Sequence, residues 1–122
     1  MRMNLVAALA ALVAGLLHVL IFAMESLLFG RPQVHRRFGT ATSDVDAVRP
    51  WAFNQGFYNL FLGLGALTGV IWSGTIGRTL VAFACLCMLG AALVLIGTDR
   101  RMARAALMQG LPPLVALVAL AV

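Results

Sequence analysis

The sequence predicts an all-α protein, a four-helix transmembrane bundle with antiparallel up-down topology. Of its 122 residues, 62% are hydrophobic and 11% are charged, whereas soluble domains are about a quarter charged. A bilayer core of about 30 Å accommodates about 20 helical residues. Runs of about that length cover residues 5–29, 50–72, 79–97 and 105–122. We therefore predict a single membrane domain over residues 1–122, in which 30–49 is the long loop.

The distribution of arginine predicts the topology of this domain. All nine basic residues are arginines, and seven of them lie in the first and third connections, at positions 31, 36, 37, 49, 100, 101 and 104. Only Arg2 and Arg78 lie at the other end of the predicted spans. The positive-inside rule then places loop 30–49 in the cytoplasm and both termini outside. Because the charge reports topology, the predicted partner is the lipid bilayer, and no nucleic acid is expected.

The first apolar run carries two ionisable residues. A signal peptide is a poor interpretation of this run, because it is too long and contains His18 and Glu25. Their separation of seven residues places both side chains on one face, in the cytoplasmic half of the span. No Lys or Arg lies within the predicted spans to neutralise Glu25. Glu25 is therefore the strongest single candidate for a functional residue.

The second run begins with amide and aromatic side chains on one helical face. At 100° per residue they fall within an arc of about 140°; they are Trp51, Asn54, Gln55, Tyr58 and Asn59. An unsatisfied amide in hydrocarbon costs several kcal/mol, so these groups are expected to face protein or trapped water. Gln109 of the fourth run lies at a depth similar to that of Glu25 and Gln55, and Asn59 lies deeper, level with His18. The sequence thus predicts an intramembrane polar pocket facing the cytoplasm.

These elements resemble a known family. The residues that carry the resemblance are Asn54-Gln55-Gly56-Phe57-Tyr58-Asn59, His18 and Glu25 before them, and Gln109-Gly110-Leu111-Pro112 after them. Over nearly the whole chain they are similar to the bacterial family catalogued as domain of unknown function 1304. The resemblance implies a small four-helix protein of the bacterial inner membrane. It implies no catalytic residues.

Three functions are compatible with the predicted pocket. In the first, the protein is an acid-base enzyme of the isomerase or ring-opening type that acts on a lipophilic small molecule. Glu25 or His18 would transfer a proton and Tyr58 would donate to a substrate oxygen. The substrate would be bound by Asn54, Gln55, Asn59, Gln109 and Trp51.

The second function is proton-coupled transport of a small molecule, since size, helix number and a lone acidic residue in the first span are similar to the small multidrug exporters. In the third, the protein is a structural or lipid-binding membrane partner. No cofactor or metal is predicted, because haem ligation by His18 would rest on a single histidine. Four spans enclose little volume, so a homodimer or homotrimer is compatible with the sequence, joined through the Gly65 and Gly69 side of the second span.

Overall fold

The computed structural model describes residues 2–72 and 74–122, which are almost entirely helical and contain no strand. Three segments are long and apolar enough to cross a membrane: Leu5–Leu27, Gly74–Thr98 and Arg100–Ala121. The all-α prediction is confirmed, and the protein has the helices of a membrane protein.

Helix α1 spans Leu5–Phe22 and continues into a π-helical turn, Ala23–Leu27. The Asn4 side chain caps its start by accepting a hydrogen bond of 2.8 Å from the Ala7 amide. At the other end the Leu28 amide reaches back five residues to the Ala23 carbonyl. The first run, predicted to span residues 5–29, thus ends in a π-helical turn, and this wider turn rotates Glu25 away from its α-helical position.

The predicted loop 30–49 is largely helical. It contains the short helix α2, Pro32–His35, and two 3-10 turns, Arg36–Phe38 and Thr42–Asp44. Helix α3 then spans Val45–Ile71 and passes through Pro50. Helix α3 begins five residues before the predicted boundary, because the helix extends beyond the apolar run into a polar first turn that contains Asp46.

At 27 residues, α3 is about 40 Å long. It is absent from the three candidate spans found among the described residues. Asn54, Gln55 and Asn59 lower its mean hydropathy, so the crossing of the bilayer by α3 stays a prediction.

Helix α4 spans Gly74–Thr98, and α5 spans Ala103–Ala121. Residues 74–78, which were expected to form a turn, belong to α4, and Ser73 lies outside the described residues. Gly74 begins α4 with a φ of 79°, a left-handed conformation that favours glycine. The span predicted at 79–97 is thus longer at its N-terminal end.

Small residues bring the long helices together. The buried core contains Ala11, Ala14, Ala66, Val81, Ala84, Cys85, Met88 and Ala116. A Cβ added to Gly63 would lie 2.8 Å from the Gly15 carbonyl oxygen, and one added to Gly69 would lie 2.8 Å from that of Gly77. Gly65 also faces α4, at Ala84. The glycine surface expected to join subunits is therefore occupied within the chain.

The two termini lie at the same end of the molecule. The Asn4 Nδ2 donates a hydrogen bond of 2.6 Å to the Ala119 carbonyl. Nearby, Arg78 Nη2 donates one of 2.8 Å to the Leu120 carbonyl.

Candidate functional site

Glu25 and Asn59 are the two predicted site residues that the structure joins directly. The Asn59 Nδ2 donates a hydrogen bond of 2.6 Å to Glu25 Oε1 and also lies 3.2 Å from the Gln55 carbonyl oxygen. Glu25 is only 9% exposed. Within residues 2–72 and 74–122 it forms no salt bridge. A largely buried carboxyl group is thus held between the π-helical turn and α3 by one amide.

The neighbouring residue, Ser26, attaches this turn to α3. Its hydroxyl donates a hydrogen bond of 2.7 Å to the Phe53 carbonyl. Gly56 lies so close that an added Cβ would collide with the Ser26 hydroxyl. The rings of Phe22 and Phe57 meet edge to face, 5.1 Å apart, one turn further in. The sequence did not lead to Ser26. The available indication was Gly56, within the segment Asn54 to Asn59, because a glycine there marks a close approach of two backbones.

His18 is 1% exposed and bonds to its own helix. Its Nδ1 lies 2.8 Å from the Ala14 carbonyl oxygen. Because a carbonyl can only accept, Nδ1 carries a hydrogen and donates it to Ala14. No hydrogen bond joins His18 to Glu25 among the described residues. No group of three or more metal-ligating side chains occurs in that part of the chain. Nothing in the structure tests haem ligation by His18, for which the sequence offered a single histidine.

Four of the predicted site residues face outward from α3. Trp51 is 79% exposed and Tyr58 60% exposed, and Asn54 and Gln55 are also exposed. The inward side of α3 instead carries Ala52, Gly56, Gly63, Ala66 and Gly69. The side of α3 that carries these small residues is the one that can pack closely against its neighbours. Asn54 and Gln55 lie outside that contact. Within a single chain these four residues therefore do not converge with Glu25 and His18.

A cavity of about 440 Å³ lies instead between α1 and α5. Its apolar wall includes Leu17, Leu20, Ile21, Met24 and Met108. Gln109 is the only one of the predicted site residues that lines it.

Three arginines and an aromatic ring lie at one end of this cavity: Arg37, Arg101, Arg104 and Phe38. Arg101 also hydrogen-bonds Asp99, with Nε 3.1 Å from Oδ1 and Nη2 3.3 Å from Oδ2. These bonds hold the pKa of the Asp99 carboxyl below its ordinary value. Arg37 and Arg104 are exposed and form no ion pair among the described residues, so their guanidinium groups are available to an anion.

His35 supports the segment that carries Arg37 and Phe38. It is completely buried, and its Nδ1 lies 2.8 Å from the Thr40 carbonyl oxygen. The Thr40 amide donates back to the His35 carbonyl, at 3.0 Å. The His35 Nε2 is buried without a hydrogen-bond partner among the residues described here. The sequence analysis missed His35; its position between Phe29 and Phe38, which pack with ring centroids 6.1 Å apart, was the available signal.

Comparison with known proteins gives one result. No curated protein matches the chain, and no solved structure does. A family model described as "Protein of unknown function (DUF1304)" matches residues 11–121. That range includes Glu25, Asn59, His35 and the whole lining of the cavity. The resemblance to this family, carried chiefly by residues 54–59, is confirmed, and the chain belongs to the DUF1304 family.

Proposed function

We propose that the protein is an antiparallel four-span bundle of a bacterial inner membrane that binds an anionic amphiphile in the cavity between α1 and α5. The observation that carries the proposal is the lining of that cavity, which is aliphatic along its wall and carries Arg37, Arg101 and Arg104 at one end. The loop 30–49 and the segment around Arg101 are cytoplasmic in this proposal, and both termini are outside.

The size and chemistry of the cavity support an amphiphile. Ligand pockets commonly enclose about 300–1,000 Å³, and this one encloses about 440 Å³. A guanidinium group pairs with a phosphate or carboxylate through two parallel hydrogen bonds. Leu20, Ile21 and Met24 offer a surface for a hydrocarbon chain, and Gln109 offers a polar contact along the wall. The ligand class is therefore a lipid-like molecule with a phosphate or carboxylate head.

The test compares two double variants in nanodiscs that contain phosphatidylglycerol and phosphatidylcholine. Native mass spectrometry would count the bound lipids on wild type, on Arg37→Gln with Arg104→Gln, and on Arg31→Gln with Arg36→Gln as the matched control. Arg31 and Arg36 are exposed arginines of the same region that do not line the cavity. We expect the first pair to weaken retention of phosphatidylglycerol about tenfold or more, since hydrogen bonds to charged groups contribute about 1.5–3 kcal/mol.

The control pair should retain the anionic lipid as wild type does. An equal loss in both pairs would mean that the arginines attract lipid non-specifically, which would overturn the proposal. Leu20→Trp, which fills the wall of the cavity and leaves all charges in place, should also lower retention.

A second candidate function centres on Glu25. The observation in its favour is a carboxyl group that is 9% exposed, bonded to Asn59 and without a cationic partner among the described residues. Such a group can exchange a proton with a lipophilic small molecule, either in acid-base catalysis or in coupled transport. In this reading His18 and Tyr58 assist the transfer, although both are separated from Glu25 within one chain.

Labelling with dicyclohexylcarbodiimide tests this second candidate, because the reagent modifies protonated carboxyl groups in apolar surroundings. We expect mass spectrometry to find the label on Glu25 and not on Asp46, which lies in the exposed first turn of α3. The Glu25→Gln variant is the matched control and should stay unlabelled. Absence of label on Glu25 in the folded wild type would argue against proton exchange at this residue.

A further inference from the structure

The outward side of α3 differs from the outward sides of the other long helices. It carries Trp51, Asn54, Gln55, Tyr58 and Phe61, which we term the amide-aromatic face. Trp51, Tyr58 and Phe61 are each at least 60% exposed. The large exposed residues of α1, α4 and α5 are almost all aliphatic, as lipid tails require; examples are Leu9, Leu16, Leu86, Leu93, Leu111 and Val118.

The amide-aromatic face lies beside the C-terminal end of the first span. The Asn59 to Glu25 bond and the Ser26 to Phe53 bond fix the depth of this part of α3 against the π-helical turn. That turn belongs to the candidate span Leu5–Leu27. Gln55 and Tyr58 are therefore level with the last turns of a span, at the edge of the hydrocarbon, where lipid tails offer no partner to an amide or a hydroxyl.

Membrane insertion restricts how such a face can meet another copy. Two copies with the same topology are related by a twofold axis along the membrane normal, so residues of equal depth face each other. The face must then be complementary to itself. A side-chain amide is both donor and acceptor, as is the tyrosine hydroxyl, and aromatic rings pair with one another.

Charge does not oppose this contact, because α3 carries no charged residue from Trp51 to Ile71. Arg49 is displaced from Trp51 by two residues, about 200° around the helix, and so lies on the opposite side. We propose that a second copy of the chain packs against the amide-aromatic face, forming a twofold dimer whose axis runs along the membrane normal. Asn59 is half-buried beside this face, so the Glu25 to Asn59 bond would lie at the boundary between the two copies.

Cysteine cross-linking in liposomes tests the dimer. Gln55→Cys and Phe61→Cys place a thiol on the face, and the second leaves all the amides intact. Leu93→Cys is the matched control: Leu93 is 61% exposed on α4. Gly65 of α3 contacts Ala84 of α4. Leu93 lies about 14 Å along α4 from this contact, and Gln55 lies about 15 Å along α3 from it, so the two positions have similar depths.

We expect mild oxidation to give roughly tenfold more covalent dimer for Gln55→Cys or Phe61→Cys than for Leu93→Cys, because a dimer holds the two thiols at high effective concentration. The yield should not fall when the protein is diluted with lipid. The unsubstituted chain, which keeps its two native cysteines in α4, should give no covalent dimer.

Equal yields at all three positions, or no dimer from either face position in folded protein, would overturn the proposal and leave lipid or a different protein on the face. Elution of each variant by size-exclusion chromatography would show that it is folded. The outcome is independent of the cavity, since none of the three positions lines it.

Discussion

Individual buried polar residues in this protein differ in how completely they are paired. Glu25 accepts a hydrogen bond from Asn59, and each histidine donates from Nδ1 to a backbone carbonyl. His35, however, keeps a buried Nε2 without a partner among the described residues. An unsatisfied buried polar atom costs about 1–3 kcal/mol, so the ring contacts and the Nδ1 bond of His35 must offset that cost.

We therefore expect His35→Ala to destabilise the protein by about 2–4 kcal/mol, since it removes both a buried ring and a hydrogen bond. His35→Phe should cost less, because it keeps an aromatic ring against Phe29 and also removes the unpaired Nε2. Unfolding in mixed detergent, followed by circular dichroism, measures both variants. The exposed Arg36→Ala is the control and should change stability by about 0.5 kcal/mol or less.

A His35→Ala variant as stable as Arg36→Ala would show that the segment folds without the histidine. In that case the position of Arg37 at the cavity would depend on other contacts.

At the scale of single helices, α3 has two sides with separate roles. Gly56 and Gly63 allow close approach to α1 and its π-helical turn. Asn59 bonds across that contact to Glu25, whereas Asn54 and Gln55 are exposed. At Gly63 the backbones of α1 and α3 lie close together: an added Cβ would lie 2.8 Å from the Gly15 carbonyl oxygen and 3.3 Å from the Val19 amide nitrogen. The backbone atoms there cannot move aside as a flexible side chain could.

Gly63→Ala should therefore destabilise the protein by about 1–3 kcal/mol, because it overpacks the contact with α1. Gly90 is the matched control, since it lies within α4 and a Cβ there would meet nothing within 4 Å. Gly90→Ala should stabilise by about 1 kcal/mol through helix propensity. The same detergent unfolding assay measures both. A similar sign for the two substitutions would mean that helix propensity dominates and that α1 can shift.

The existence of the helices was predictable from apolar run length, and their boundaries were less so. Hydropathy locates the apolar part of a helix, and α3 extends five residues beyond it, to Val45. Nor does hydropathy register the π-helical turn at Glu25. The sequence did not indicate that Gln55 and Tyr58 point outward within a single chain, because the small side of α3 is the one that contacts its neighbours.

The pairing of Glu25 with α3 could be predicted from the sequence, because a lone carboxylate near amides at similar depth needs a hydrogen-bond donor. The cavity could not be predicted in this way. It depends on the folding of residues 32–39 toward α5, which brings Arg37 and Phe38 to Arg101 and Arg104. No local pattern predicts that contact, since it joins segments more than sixty residues apart.

For the molecule as a whole, the arginines divide between its two ends. Arg78 bonds to the Leu120 carbonyl beside the termini. Arg37, Arg101 and Arg104 meet at the cavity, on segments joined to the opposite ends of the helices. This division is the pattern that the positive-inside rule associates with a single orientation in the membrane.

The orientation can be measured with an impermeant maleimide. Thr42→Cys, in an exposed turn, should react in inverted vesicles and not in right-side-out vesicles, because its loop is expected in the cytoplasm. Val122→Cys, at the end with the termini, should show the reverse. Labelling of both positions from both sides would indicate dual insertion, which would favour a transporter of the small multidrug type over a protein with one fixed orientation.

The contact between Asn4 and Ala119 joins residues that are 115 positions apart in the chain. At a synthesis rate of about 5–20 residues per second, roughly 6–23 s pass between the synthesis of these two residues. During that interval α5 is not yet available to cover its side of α1. Leu17, Leu20 and Ile21, which later line the cavity, are aliphatic, so they can face lipid tails until α5 covers them. An aliphatic wall thus suits contact with lipid tails before α5 is in place as well as the finished cavity.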